Sequence, residues 1–396
     1  MNDWMELEKK YFLNTIKRSP AVMVRGEGAW VWDDQGKKYL DFVAGWAVNC
    51  LGHCHPVMVE AIKEQAAQLI QVSNQYYSIP QIQLAQLLME NSCLDKLFFC
   101  NSGAEANEGA IKLARRYGKL HGNGAYEVIT ALKSFHGRTL AMTAATGQPN
   151  FQEPYTPMPQ GFVNVEFNSI EAIKLATTPQ TVAVMLEPVQ GEGGVNIPDR
   201  GYLEAVRRWC DEQNLLLIFD EVQTGIGRLG TLFGYQLFGV EPDIMTLAKG
   251  LGGGVPIAAF LAKERAAVFA PREHGSTYGG QPLACAVAYA VMKYVIEHDI
   301  PGNARRRGQE LMAGLNALRG QFPFITDVRG RGLLVALEFD REISQPAVGL
   351  CLEEGLLLNP VKPNALRFMP PLIVTSEEVA QAVAIVGRVL GQIGQP

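Results

Sequence analysis

Residues 215–254 read LLLIFDEVQTGIGRLGTLFGYQLFGVEPDIMTLAKGLGGG, and two breaks in this stretch decide how the chain folds. An apolar run over 215–219 stops at Asp220-Glu221. A second run over 244–248 stops at Lys249, just ahead of a glycine-rich loop. Runs of this length, bounded by polar residues and Gly, read as buried parallel strands. In open α/β sheets the chemistry sits just beyond the carboxyl ends of such strands. The stretch therefore brings a carboxylate and a lysine to neighbouring strand ends, with flexible glycines around the lysine.

The 396 residues around it are enough for two or three domains and a substantial core. Hydrophobic residues at 47% and charged residues at 19% make a globular composition, not a disordered one. A net charge of −5 leaves no basic excess to displace counterions, which argues against general nucleic-acid binding. Arg305-Arg306-Arg307 reads as a solvated helix face. The opening MNDWMELEKKYF mixes acids and bases and is not read as a secretory signal. No apolar segment approaches the roughly 20 residues that span a bilayer. Seven scattered cysteines fit reduced thiols and a cytoplasmic location.

Along the chain, residues 1–19 read as a helix turned by Pro20, and 30–32 with 39–42 as a β-hairpin across Asp33-Asp34-Gln35-Gly36. His53, Cys54 and His55, with Cys50 nearby, match no zinc spacing, and Pro56 opens a helix over 57–70, so no metal is expected. Strands are expected at 97–100, 127–131, 182–186 and 255–262. Ser102, with Glu105 three positions on, forms a capping box. A strand feeding a helix through Ser-Gly presents free N–H groups at a positive helix end, a seat for phosphate as well as an ordinary cap. Phe135 stands at a strand end where it can stack on a ring, and Arg138 where it can grip a carboxylate. Four prolines within 147–161 mark a covering loop. Glu192 stands among glycines that give its carboxylate room to move. A helix over 202–213 leads into the opening stretch, and a long helix runs from Pro282 to about His298. Strands at 332–339 and 366–374 then alternate with helices from Pro346 and Glu377, the last with one apolar face. The expected fold class is α/β, a mostly parallel central sheet plus a small α+β part. The expected divisions are 1–50 (joining the small part), 51–292 (large) and 293–396 (small).

These groups meet the needs of pyridoxal chemistry. It requires a lysine to hold the cofactor and shuttle a proton, and a carboxylate to keep the pyridine nitrogen protonated. It also requires a helix N-terminus for the phosphate and charged groups to position substrate. Lys249 and Asp220 fill the first two roles. A nucleotide-binding loop over 250–254 is the competing reading from another class. It lacks G-x-x-x-x-G-K-[ST], and Lys249 precedes its glycines.

On NSGAEANE (101–108), FHGR (135–138), EPVQGEGG (187–194), FDEVQTGIGR (219–228), LAKGLGGG (247–254), HGSTYGG (274–280) and RFMPPL (367–372), the chain resembles the class III (ω-amino) aminotransferases of the fold type I pyridoxal phosphate superfamily. The matches follow the family's order over about 30–372. The resemblance implies that Lys249 carries pyridoxal 5′-phosphate and performs the proton shift, while Asp220 pairs with the ring nitrogen. Gln223 approaches the ring hydroxyl beside Val222, with Glu221 in the same turn. Ser102, Gly103 and Ala104 seat the phosphate, and Phe135 stacks on the ring with His136 beside it. Arg138 holds the carboxylate distal to the transferred amine, and Arg367 the α-carboxylate of glutamate. Glu192 pairs with Arg367 in the first half-reaction and swings away when glutamate or 2-oxoglutarate binds. Ser276 and Thr277 reach the phosphate or substrate of a neighbouring subunit, which implies a homodimer with shared sites and no membrane or nucleic-acid partner.

VRGEGAWVWD, AVNCLGHCHP and HGSTYGGQPLAC are most similar to members that move the terminal (δ) amino group of N2-acetylornithine to 2-oxoglutarate, in arginine biosynthesis. Ornithine, 4-aminobutyrate, succinyl-diaminopimelate and carrier-linked lysine precursors are the alternative donors. Many relatives carry Tyr where this chain has Ile16, and a smaller aliphatic residue at Trp46, both facing the substrate's α-substituents. Ala104 replaces the commoner Thr where the contact is from backbone. A non-catalytic relative is a further reading, against which the intact Lys249 and Asp220 speak.

Overall fold

The computed structural model describes residues 3–394, so residues 1–2 and 395–396 of the first and last expected divisions lie outside the described residues. Its centre is a seven-stranded sheet in the order Lys96–Cys100, Ala258–Ala262, Ile244–Leu247, Leu216–Asp220, Thr181–Leu186, Glu127–Ala131, Phe162–Val165. Ala258–Ala262 runs antiparallel to both its neighbours, and the other pairs are parallel. Ile218 pairs with Ile244 and Asp220 with Thr246, so the two strands of the deciding stretch are direct neighbours. Both are buried along their whole length, which is why they read as continuous apolar runs. Ser102, Glu187, Asp220 and Lys249, each at or just past the carboxyl end of strands that run in the same direction, consequently share one edge of the sheet.

Helix Gly103–His121 packs on this sheet through Ala106, Asn107, Ala110, Ile111, Ala114 and Tyr117, a stripe at helical spacing. Ser102 accepts from Glu105 N, while the Glu105 carboxylate reaches past the cap to Asn101 N (2.6 Å) and Nδ2 (2.8 Å). The expected capping box is thus shifted by one residue.

The hairpin pairs Trp30 with Leu40, and its sheet gains a fourth strand, Leu356–Leu357, parallel to Lys38–Asp41. The two ends of the chain are tied together in this sheet. A third sheet, antiparallel, has the order Ile325–Arg331, Leu334–Phe339, Ala365–Phe368, Asn359–Lys362. Helices Ile300–Gln321 and Ser376–Ile393 pack on each other beside it.

Several boundaries differ from expectation for local reasons. The first helix is Asp3–Tyr11 and buries no residue, so packing gives it no reason to extend to 19. The helix from Pro56 ends at Ala66. Pro256 has no N–H for the sheet, and the strand expected at 255–262 starts at Ala258. Pro370 and Pro371 likewise end the strand expected at 366–374 after Phe368. Within 147–161 the chain forms a helical turn, Pro149–Gln152, and a 3₁₀ turn, Glu153–Tyr155. Helix Ile300–Gln321 and strand Ile325–Arg331 have no counterpart in the sequence reading beyond the Arg305–Arg307 face. His53 Nε2 lies 2.8 Å from Asp41 Oδ2, a structural use of that histidine. Among the described residues no group of three or more His, Cys, Asp or Glu is placed to hold a metal, and no helix is long and apolar enough to cross a membrane.

Candidate active site

The strand ends enclose a cavity of about 420 Å³ lined by Lys249, Asp220, Gly103, Phe135, His136 and Glu192, among others. Asp220 is its most heavily bonded group. Its Oδ1 accepts from Val222 N (3.0 Å), and its Oδ2 from Asn107 Nδ2 (2.7 Å). His136 Nδ1 stands 2.8 Å from the same Oδ2, and since a carboxylate only accepts, the ring donates. Thr246 Oγ1 donates to Asn107 Oδ1 (2.7 Å), and Asn107 Nδ2 also donates to the His136 carbonyl (2.7 Å). The carboxylate is therefore fixed by groups from a helix, a loop and an adjacent strand. Burial works against charge on His136, but the hydrogen bond and charge of Asp220 outweigh it and hold the ring above its usual range. Burial pushes Glu187, which accepts from Phe135 N (3.2 Å) and Gly191 N (3.3 Å), up to about 8.

Lys249 begins a 3₁₀ turn at φ +42°, in the left-handed region that non-glycine residues rarely occupy. Such strain persists only where the surroundings hold it, and it clusters at functional sites. No hydrogen bond or ion pair among the described residues reaches its Nζ. Burial pushes the ammonium below the usual lysine range; the charge of Glu192 opposes this and that of Arg367 adds to it.

Arg367, fully buried, donates from NH1 to Glu192 Oε1 at 2.6 Å. Its Nε (3.1 Å) and NH2 (2.8 Å) both reach Asn359 Oδ1, the residue opposite it on the next strand. Burial works against ionisation of Glu192, yet the Arg367 charge outweighs it and holds the carboxyl below its usual range.

The family model described as Aminotransferase class-III matches residues 13–390. This chain belongs to the class-III aminotransferases. The acetylornithine aminotransferase of Caldanaerobacter subterraneus subsp. tengcongensis is 52% identical over 387 residues, 98% of each chain. That of Methanocaldococcus jannaschii is 49% identical over 393 residues, 99% of this chain and 98% of its own. Among solved structures, the ornithine aminotransferase of Toxoplasma gondii matches with a TM-score of 0.95 at 33% identity, covering 99% of this chain and 95% of that one. The acetylornithine aminotransferase of Elizabethkingia anophelis matches at 0.87 and 35%, covering 98% of each.

Pyridoxal 5′-phosphate, the cofactor of this class-III aminotransferase, fits the residues present. Gly103 opens the helix where a Cβ would lie 2.8 Å from Val222 Cγ1, so the N-terminal amides stay uncovered by a side chain. The His136 Nε2 is buried without a partner among the described residues. Phe135 lines the cavity wall, and Arg138 sits exposed at its rim, its guanidinium 3.9 Å from the Phe151 ring centre.

Other expected residues of the class-III enzyme lie elsewhere. Glu221, expected with the cofactor group, turns away and caps helix Gly234–Phe238, accepting from Gly234 N and from Tyr235 N (2.7 Å). A buried acid next in sequence to Asp220 must point to the opposite side of its strand end. Ser276 and Thr277 lie outside the cavity, with Ser276 Oγ bonded to Asn101 Nδ2 (3.2 Å) and Gly279 N (2.9 Å). Ile16 and Trp46 come together in an adjoining groove of about 800 Å³, with Trp46 presented by the left-handed turn Ala44–Ala47. Asn107, Thr246, Glu187 and Asn359 are functional neighbours that the sequence reading does not single out. Asn107 and Glu187 stood within the quoted motifs, but only their place in the fold shows what they bond.

Proposed function

We propose that this chain transfers the terminal (δ) amino group of N2-acetylornithine to 2-oxoglutarate, giving N-acetylglutamate 5-semialdehyde and glutamate. The observation that carries this reading is the Glu192–Arg367 pair at 2.6 Å beside Lys249. A cavity that must take both an aliphatic amine and an α-amino acid needs a carboxylate receptor that can be covered. An unpaired buried guanidinium facing an aliphatic chain costs roughly 3–5 kcal/mol. Glu192 covers Arg367 for the amine donor and leaves it for glutamate or 2-oxoglutarate. Arg138, at the rim, binds the carboxylate distal to the amine.

When bound, pyridoxal phosphate supplies an aldehyde that takes up the amino group and a ring that accepts electrons. Lys249 Nζ would hold the cofactor between turnovers and move the proton, a task suited by its depressed pKa. Asp220, oriented by Asn107 and His136, would hold the cofactor's pyridine nitrogen in its protonated form. Ser102, Gly103 and Ala104, at the helix start, would hold the phosphate, and Val222, Gln223 and Phe135, which line the same cavity, would hold the ring.

The relatives at about half identity support N2-acetylornithine as donor, and the ornithine aminotransferase likeness makes ornithine the second reading. Single-turnover absorbance of the pyridoxal form against a panel of donors tests this. N2-acetylornithine is expected to bleach the cofactor at the lowest concentration; faster bleaching by ornithine or 4-aminobutyrate would replace the donor. Borohydride is expected to fix the cofactor to Lys249, and covalent labelling that survives Lys249→Ala would overturn its role.

We infer a homodimer with shared sites. Support comes from a surface patch in which Tyr77 is 95% exposed, Ile79 72% and Tyr278 67%. Asn74 Nδ2 bonds the carbonyls of Ser276 (3.1 Å) and Gly279 (2.8 Å), which joins this patch to the 274–280 loop. The pairing of Leu356 with Leu40 supports 1–50 joining 293–396 as a small part beside 51–292. Seven unpaired cysteines support a cytoplasmic setting.

A further inference from the structure

The glycines around Glu192 are tightly packed. A Cβ on Gly191 would overlap Gln223 Oε1 at 1.7 Å, and one on Gly193 would lie 2.4 Å from the Lys133 carbonyl. On Gly194 it would lie 2.5 Å from Lys362 Cε. The loop is also closed on itself, with Gln190 and Asn196 exchanging both backbone hydrogen bonds (3.1 and 3.0 Å). The room to move expected for the Glu192 carboxylate therefore falls to its side chain and not to the loop backbone. The glycines let a rigid loop pack.

What holds this loop comes from the other sheet. Arg329 donates from NH2 (2.6 Å) and Nε (3.1 Å) to the Gly194 carbonyl, and from Nε to the Val195 carbonyl (3.2 Å). Its NH1 is held by Glu338 Oε2 (2.6 Å) and Asp327 Oδ2 (2.8 Å). Val195, β-branched and buried, sits at φ +55°, a conformation that persists only where the surroundings impose it. Register adds a third observation. Arg329 lies opposite Ala336, and Ala336 opposite Arg367, so both arginines stand in one cross-strand row. Residues in such a row project to the same face, here two strands or roughly 10 Å apart.

We propose that Arg329 is a positioning residue for the masking acid. It pins the strained 194–195 turn to the same sheet row that carries Arg367, so that Glu192 reaches the arginine by side-chain rotation on a fixed loop. The row acts as a ruler: one arginine grips the loop backbone, and the other receives the loop's carboxylate. This rests on the reading of Glu192 as the mask of Arg367.

The test follows the two half-reactions of the holoenzyme separately, by stopped-flow absorbance, in Arg329→Gln, Arg329→Lys, Glu192→Gln and the Glu192→Gln/Arg329→Gln double variant. Arg329→Gln is expected to lower kcat/KM for the terminal amine about tenfold, within the range of coupled neighbours, and to change the glutamate half-reaction less than about twofold. Placed on Glu192→Gln it should add nothing further. Arg329→Lys keeps the charge beside Glu338 but not the fork that spans two carbonyls, so it should fall between, and it carries the comparison if Arg329→Gln does not fold. Equal losses in both half-reactions, or an additive effect on Glu192→Gln, would overturn the proposal. A selective Glu192→Gln beside an indifferent Arg329→Gln would do the same while leaving the mask intact. A Glu192→Gln that disturbs neither half-reaction would overturn the mask and this proposal with it.

Discussion

Lys249 is buried and without an ion-pair partner among the described residues, and this has consequences for stability that can be read before any substrate is added. Burial lowers its folded-state pKa from the ordinary value of 10.5. Between the lowered value and 10.5 the unfolded chain binds more protons than the folded one, so this group's contribution makes stability rise with pH across that window. In the cofactor-free protein Lys249→Met, which keeps the apolar stem and removes the charge, should therefore be more stable than the parent near neutrality. The advantage should shrink as pH approaches about 10.5. Urea unfolding of both apoproteins at several pH values checks this, and a difference independent of pH would show that the lysine is not held neutral by its site. Lys249 and Asp220 were legible in the sequence because each ends an apolar run. Asn107 was not, since nothing in a helical stripe of small residues says that one member points at a carboxylate on another strand. Asn107→Leu removes a donor from the buried Asp220 and is expected to weaken cofactor binding roughly tenfold, a loss typical of one unmade buried hydrogen bond. Retention of the cofactor after dialysis, followed by absorbance, reads it, and unchanged retention would mean that His136 alone suffices.

At the scale of elements, the parallel strands were legible because burial on both faces writes itself as unbroken apolar sequence. Ile300–Gln321 was less so. Its charged outer face dilutes the apolar period, and its inner face is partly made of Gly302, Ala304 and Gly308. Glycine in helices shows how far context overrides propensity. Gly→Ala in an exposed helix interior ordinarily stabilises by roughly 0.5–1 kcal/mol. Gly349, exposed in Ser344–Glu353 with nothing near its missing Cβ, should follow that rule. Gly118, in Gly103–His121, should reverse it, because a Cβ there would lie 2.0 Å from the Ala125 backbone carbonyl. Overpacking against backbone that cannot rotate away costs roughly 1–3 kcal/mol. Opposite shifts in the denaturation midpoints of Gly349→Ala and Gly118→Ala are the expected result. A stabilising Gly118→Ala would mean that the helix stands farther from the Ala125 turn than this packing requires.

At the scale of the whole molecule, the question is whether one chain makes a complete site. Lys249, Asp220 and Glu192 line one cavity and Arg367 is paired with Glu192 behind its wall, yet Thr277 is exposed outside the cavity, on the apolar patch with Tyr77 and Tyr278. The sequence motif HGSTYGG announced a role for this loop, and the fold places its Ser276 and Thr277 outside the cavity of their own chain. If a second copy does, two separately disabled chains should repair each other. Lys249→Ala removes the lysine proposed to hold the cofactor. Thr277→Glu, at an exposed position that disturbs no packing, would set a negative charge against the phosphate of the neighbouring site. Each homodimer should be nearly inactive. In a hybrid purified through two different tags, one site has both residues altered and the other has neither. Because a two-fold interface repeats the same contacts twice, the hybrid should regain about half the activity of the parent dimer. No recovery in the hybrid, or a fully active Thr277→Glu homodimer, would mean that each chain serves its own site and that the exposed patch has another use.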